Sequence, residues 1–259
     1  MTIYSESLKV KAAAELELRR RRVNKTESNP LEQYRFETVR YIREKLGWEP
    51  WAGDAEHPGQ VEVIAAYELA LRQLHERDDY EQGVIAENDL QYWQPGQVIK
   101  NRIRVEAGHT VGKTKLASGI FSHFFDTCTP SIIYSFEPTA YQINNLLWKE
   151  IKKDRRKNNL PGRVLKTPRL DFGDDNPDHF AEGRATQNSD TESVQGQHGK
   201  YLMFIVDEAE GVADFVYDAI ESMTSSGIAI VFMLANPRTR IGQFHKQRVY
   251  SDVANFRIS

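Results

Sequence analysis

Residues 107–114 read Ala107-Gly108-His109-Thr110-Val111-Gly112-Lys113-Thr114. Ahead of them Arg102-Ile103-Arg104-Val105 alternates as a strand does, and behind them Leu116-Ala117-Ser118-Gly119-Ile120-Phe121 continues as a helix. No other stretch constrains the fold as tightly. A strand must feed a helix through a short loop, and that unit needs a sheet to lie on. The glycines let the backbone turn so that several N–H groups converge on one anion. The following helix aims its N-terminal dipole at the same point. Residues in this order form a phosphate-binding loop, A/G-x-x-x-x-G-K-[ST]. Ala107, Gly108, His109, Thr110, Val111 and Gly112 are expected to cradle the phosphates of ATP. Lys113 then reaches the β- and γ-phosphates, and the Thr114 hydroxyl holds Mg²⁺.

Tyr201-Leu202-Met203-Phe204-Ile205-Val206 is an unbroken apolar run ending in Asp207-Glu208. Such a run suits a strand buried on both faces of a parallel sheet. Two carboxylates at its C-terminal end sit where open α/β sheets bind ligands. Asp207 is expected to hold Mg²⁺ through water, and Glu208 to orient and deprotonate the attacking water. A solvated acidic turn is the plainer alternative, and the upstream phosphate loop argues against it. A third run, Ile228-Ala229-Ile230-Val231-Phe232-Met233-Leu234, ends in Ala235-Asn236-Pro237-Arg238. Asn236 at its tip either senses the γ-phosphate and attacking water or belongs to a strand-exit turn, since Asn-Pro is a frequent turn pair.

The chain of 259 residues is long enough to bury a sizeable core. Its net charge of −3 means that any nucleic-acid surface is local rather than global. One cysteine, Cys128, excludes an intramolecular disulfide and a cysteine metal cluster. The N-terminus lacks an apolar signal core, and no apolar stretch approaches the roughly 20 residues of a membrane span. A reducing, soluble, cytoplasmic setting is expected.

Two regions differ in character. Residues 1–95 read as a helical N-terminal region with an insertion, packed on the core. Within them, 7–22 is a charged helix ending in four arginines, either a contact for DNA phosphates or a solvated helix end, the latter preferred. Apolar spacing predicts helices over 31–46, stopping at Gly47, and over 61–74. Residues 77–96 are polar and acidic and read as a surface connection. Residues 96–259 alternate strand and helix, which predicts an α/β core with a mainly parallel sheet flanked by helices. The polar stretch 155–200 is expected to hold short strands near 163–172 and 180–186, then a loop. Asp171, Asp174 and Asp175 lie beside Gly173 and Pro177 and read as a solvated turn.

Taken together these motifs resemble the ATPase domain of the large terminase subunit, the motor that packages DNA into tailed bacteriophage heads. Pro50-Trp51, followed by Gln60-Val61-Glu62-Val63-Ile64, is similar to the family's opening, whose glutamine contacts adenine. The phosphate loop resembles the family's own. Pro138-Thr139-Ala140-Tyr141-Gln142-Ile143-Asn144-Asn145-Leu146-Leu147-Trp148-Lys149-Glu150 looks like the segment after its second strand. Gln195-Gly196-Gln197-His198, leading into Ile205-Val206-Asp207-Glu208-Ala209-Glu210-Gly211-Val212, resembles its Walker B region. Ala235-Asn236-Pro237-Arg238 with Gly242-Gln243-Phe244 looks like its coupling motif.

The resemblance implies a P-loop NTPase fold and Mg-dependent ATP hydrolysis that powers translocation of double-stranded DNA into a procapsid. It also implies self-association into a ring, with a portal protein and a small terminase subunit as partners and no membrane. Three departures stand out. Eight residues, 52–59, separate Trp51 from Gln60 where the family has only a few, so Gln94 and Gln97 remain rivals for the adenine contact. Many members carry an arginine inside the phosphate loop, where this chain has His109 and Thr110. The missing charge is expected from a neighbouring subunit, with Arg155, Arg156, Arg184, Arg238 and Arg240 as candidates. Finally, the family's nuclease domain is expected to be absent from this chain, which is then expected to leave plasmid DNA intact. Two other functions compete: a helicase-like DNA-dependent ATPase, and a nucleotide-dependent DNA-binding module without turnover, against which Glu208 argues.

Overall fold

The computed structural model describes residues 29–108, 110–187, 198–224, 227–236 and 238–258. The arginine-ended helix predicted over 7–22 lies outside them, as do Gln195-Gly196-Gln197, His109 and Pro237. The strands are β1 (Arg102–Ala107), β2 (Ser131–Glu137), β3 (Arg163–Val164), β4 (Arg169–Asp171), β5 (Phe180–Ala185), β6 (Tyr201–Val206), β7 (Ile228–Ala235) and β8 (Val253–Ile258). They form one sheet in the order β3-β4-β5-β2-β6-β7-β1-β8. Along that order every pair from β5 to β8 is parallel, and β4 alone runs against its neighbours β3 and β5. The three apolar runs of the sequence are thus central strands. β6 and β7 are buried along their whole length, as strands covered on both faces must be.

The main helices are α1 (Thr38–Tyr41), α2 (Gln60–Glu81), α3 (Lys113–Thr127), α4 (Ala140–Asn145), α5 (Leu147–Lys157), α6 (Asp214–Met223) and α7 (Gln243–Lys246). One face of the sheet packs against α2, α3 and α5 through Ile103, Val105, Met203, Ile205, Phe232 and Leu234. The other packs against α6 and α7 through Phe136, Phe204, Val206, Val231 and Met233. Among the described residues no helix is long and apolar enough to cross a membrane.

Two sequence expectations need correction. The single helix over 31–46 is broken into a 3-10 turn (Glu32–Tyr34), α1 and a π-turn (Ile42–Leu46). A tertiary partner takes the Thr38 N–H that a continuous helix would bond: Glu68 of α2 accepts it, while the Arg35 side chain ties the segment to α3 by donating Nε–H to Thr127 O at 3.1 Å. The predicted stop at Gly47 does occur, with φ at +69° in the left-handed region. The helix over 61–74 is longer than expected, because α2 runs on to Glu81 through residues read as a connection. Its charged outer face hid the continuation.

The N-terminal segment grips α3 directly. A Cβ on Gly119 would lie 2.8 Å from Trp48 Cζ2 and 3.1 Å from Ile42 Cδ1, so only glycine lets these elements approach. His123 of α3 is fully buried and gives Nε2–H to Tyr34 O at 2.8 Å, while the Tyr67 hydroxyl reaches Nδ1 at 2.9 Å. Burial pushes its pKa down to about 4, so the ring is neutral.

Candidate nucleotide site

β1 ends at Ala107, which is buried, and the chain turns through residues 108–112 into α3. Thr110 and Gly112 both adopt positive φ, +72° and +82°. A β-branched residue there is unusual, and such strain is characteristic of ligand-binding loops. Gly112 caps α3 and leaves Lys113 and Thr114 in its first turn, where helix N–H groups and dipole favour an anion. Lys113 is buried and Thr114 half-buried.

Gln60 opens α2 against this loop. Its Nε2 donates to Gly112 O at 3.3 Å, and its Oε1 accepts from Trp51 N at 3.4 Å. The φ of +82° at Gly112 requires glycine there, and the missing Cβ also leaves room for the Gln60 amide, whose Nε2 would lie 2.7 Å from it. Gln94 and Gln97 lie elsewhere. Their segment packs near the C-terminal part of α2, where Trp93 meets Tyr80 and Gln73 donates to Tyr92 O. That end of α2 approaches the start of β7 through Arg77 and Gly227 O, so these glutamines are at the wrong edge of the sheet.

Because β7 separates β1 from β6, the tips of three neighbouring strands frame one space. Lys113 Nζ lies 3.5 Å from Glu208 Oε1 across it. Glu208 itself has φ 48° and ψ 44°, a left-handed kink that ends the strand. Asp207 is 1% exposed. Its Oδ1 accepts from the Glu208 N–H at 2.9 Å, and its Oδ2 is buried without a partner. Burial first, then the charge of Glu208, pushes its pKa up to about 6. Asn236, at the tip of β7, is half-buried and lines a cleft of about 300 Å³ together with Glu208, Gln142, Glu210 and Arg238.

Two residues here were not singled out by the sequence reading. Glu210 accepts from the backbone N–H groups of Arg238 (3.0 Å) and Thr239 (2.8 Å) and from the Thr239 hydroxyl. It thereby ties the turn after β6 to the loop after β7, and these bonds, the Thr239 hydroxyl first, hold its pKa below the usual range. Glu137 closes β2 and is fully buried, with neither carboxyl oxygen partnered. Burial first, then Asp207 and Glu208, pushes its pKa up to about 9. The one signal in the sequence is a lone acid ending the largely apolar stretch Ile132-Ile133-Tyr134-Ser135-Phe136 before Pro138.

The arginine candidates separate by environment. Arg155 is 1% exposed, ion-paired with Asp126 at 2.8 Å and covered by Phe125, so it cannot serve a neighbouring subunit. Arg156 is exposed on the same helix, remote from the strand tips. Arg184 pairs with Glu182 at 3.1 Å and lies over Tyr134. Arg238 is exposed in the loop beside Glu208, with Arg240 following. Of the acidic cluster read as a solvated turn, Asp174 and Asp175 are exposed in a 3-10 turn, but Asp171 is instead buried at the end of β4, where ion pairs with Arg163 and Arg169 hold it.

The oxygen donors fit a hard divalent cation. The unpartnered Asp207 Oδ2 has no other buried partner, and hydroxyl and carboxylate ligands suit Mg²⁺. Among the described residues no three His, Cys, Asp or Glu side chains converge as a metal centre, so a cation held here would need phosphate and water to complete its shell.

A phosphate loop at the tip of β1, an acidic pair two strands away and a mainly parallel sheet between helices define a P-loop NTPase fold. Solved structures of similar fold include large terminases and a large terminase ATPase domain of bacteriophages. The large terminase of a thermophilic bacteriophage superposes with a TM-score of 0.50 at 14% identity, covering 61% of this chain and 40% of that one. The same kind of protein in complex with ADP gives 0.49 at 11%, again over 61% and 40%. The large terminase ATPase domain of Thermus phage P74-26 gives 0.46 at 15%, over 63% and 77%. At such identities the likeness is one of fold. No family model matches the chain, and no curated protein sequence matches it.

Proposed function

We propose that this chain is a Mg-dependent ATPase of the terminase type, whose hydrolysis drives double-stranded DNA into a procapsid. The observation that carries the proposal is the meeting of Lys113 and Glu208 across β7, at the strand edge where the phosphate loop opens. Loop residues 107–112 hold the phosphates, Lys113 neutralises charge developing on the γ-phosphoryl, and Thr114 and Asp207 hold the cation. Mg²⁺ supplies further neutralisation of the phosphate oxygens. Glu208 orients the attacking water and takes its proton, with Asn236 beside it in the cleft. Gln60 couples the loop to the adenine side through Gly112.

Positive charge for the γ-phosphate comes from an arginine. Arg238, in the loop that Glu210 anchors, is the best placed of the described residues. Assembly of copies into a ring, on a portal protein and with a small subunit, completes the proposed motor. The test is phosphate release with and without double-stranded DNA, over a range of protein concentrations. Stimulation by duplex DNA supports the motor. Stimulation by single strands alone would move the assignment to a helicase-like ATPase, and tight binding without turnover would leave a nucleotide-dependent DNA-binding module.

A further inference from the structure

β2 and β6 are parallel neighbours, with Phe136 opposite Val206 and the Asp207 N–H bonded to Phe136 O at 3.0 Å. Phe136 and Val206 both face the α6 side of the sheet. The next residues, Glu137 and Asp207, therefore face the opposite side, toward α3 and Lys113. Glu137 has no exposed surface, and neither Oε1 nor Oε2 has a hydrogen-bond partner. Asp207 beside it keeps Oδ2 unpartnered as well. Leaving one buried polar group unsatisfied is costly, and leaving three oxygens of two adjacent carboxyl groups so is a strong sign of a missing common partner.

We infer that Glu137 is a third carboxylate of the nucleotide-cation site, accepting a hydrogen bond from a water of the cation's hydration shell beside Asp207. This rests on the ATPase reading above. Mg²⁺ retains several waters when bound, and each offers two donors that need acceptors. Outer-shell acceptors orient those waters and tune affinity, and their loss typically costs about 10–100-fold in metal binding. Glu137 acts through water and is a positioning residue.

The experiment measures ADP affinity in EDTA and across a Mg²⁺ titration, for wild type, Glu137→Gln and Glu137→Met, each checked for native fold by circular dichroism. Mn²⁺ then replaces Mg²⁺ for electron paramagnetic resonance of the bound ion. In Glu137→Gln the Mg²⁺ concentration for half-maximal tightening should rise about tenfold, with affinity in EDTA within about twofold of wild type. The Mn²⁺ spectrum should change in both variants. Superimposable Mg²⁺ titrations and Mn²⁺ spectra in folded variants would overturn the inference, since a purely structural Glu137 leaves both unchanged. Should neither variant fold, a structure of the wild-type Mg·ADP complex decides. A water bridging Glu137 and the cation supports the role, and its absence refutes it. A wild type whose ADP affinity ignores Mg²⁺ would instead sink the ATPase reading.

Discussion

The two ends of α3 treat buried charge in opposite ways. At its C-terminal end Asp126 is enclosed by the Tyr41 hydroxyl and the Arg155 guanidinium, and Arg155 also donates to Pro161 O. At its N-terminal end Lys113 meets Glu208 at 3.5 Å, while Asp207 and Glu137 crowd together with open oxygens. Both ends are almost as dry, since Arg155, Asp126, Asp207 and Glu137 are each 2% exposed or less. The difference is therefore one of ion pairing rather than of burial: Arg155 leaves Nε and Nη1 without hydrogen bonds but has its counter-ion in Asp126, whereas Glu137 has no cation beside it among the described residues. Charge balanced within the chain belongs to the scaffold; adjacent carboxyl groups left without partners mark the proposed seat of the cation.

The comparison can be broken at either end. The largest effects belong to the N-terminal end and to chemistry. Lys113→Ala should abolish tight ATP binding, because it removes ground-state charge pairing. Glu208→Gln should keep binding and lose about 10²–10⁴ in single-turnover hydrolysis. Nucleotide titrations and quench-flow on both variants check this, and near-normal turnover in the Glu208 variant would contradict the assignment. Neither change should lower the melting temperature appreciably.

At the C-terminal end the effect falls on stability instead. Asp126→Ala leaves the Arg155 charge buried without its counter-ion and should cost about 3–5 kcal/mol by urea unfolding. Any native fraction that remains should still bind Mg·ADP.

The two ends should also titrate in opposite senses. The Glu137 carboxyl keeps its proton to about pH 9 in the native state, whereas in the unfolded chain it loses it near pH 4.5. Between those values the native state binds more protons, so stability falls as pH rises. His123 is held down to about 4 against an ordinary 6.5, so there the unfolded chain binds more protons and stability falls as pH drops through that window. Glu137→Gln should accordingly stabilise the ligand-free protein at pH 8 by about 2–4 kcal/mol, with the gain vanishing toward pH 4.5. Melting curves from pH 4 to 9 read both slopes. An equal gain at every pH would contradict the account of Glu137.

The smallest effect concerns the loop beside the cleft. Glu210→Ala removes three bonds to Arg238 and Thr239 at a partly exposed site and should cost within about 1 kcal/mol of stability. Turnover should drop several-fold with little change in nucleotide affinity. Glu210→Gln should recover part of it. A change in affinity alone would show that the loop does not position the reacting groups.

Much of this was legible in the sequence for identifiable reasons. β6 coincides with its apolar run because a strand buried on both faces has no polar interruption. The start of α3 is announced by the glycine that must adopt φ +82°. What could not be read depends on pairing between distant segments. Glu137 gains its meaning only when β2 lies beside β6. Gln60 is set apart from Gln94 and Gln97 only by the direction in which α2 crosses the sheet. The break before α1 needs Glu68 to claim the Thr38 N–H, and Arg155 counts as an exposed basic residue until Asp126 encloses it.

The measurement that reaches the central claim most directly is thermal unfolding of the wild-type protein alone, with Mg²⁺, with ADP, and with both. If the open acids at the N-terminal end of α3 are the seat of a cation held jointly with nucleotide, only the pair should stabilise strongly. The expected gain is about 2.7 kcal/mol at a hundredfold excess over Kd. An equal shift with ADP alone, or none with the pair, would contradict it.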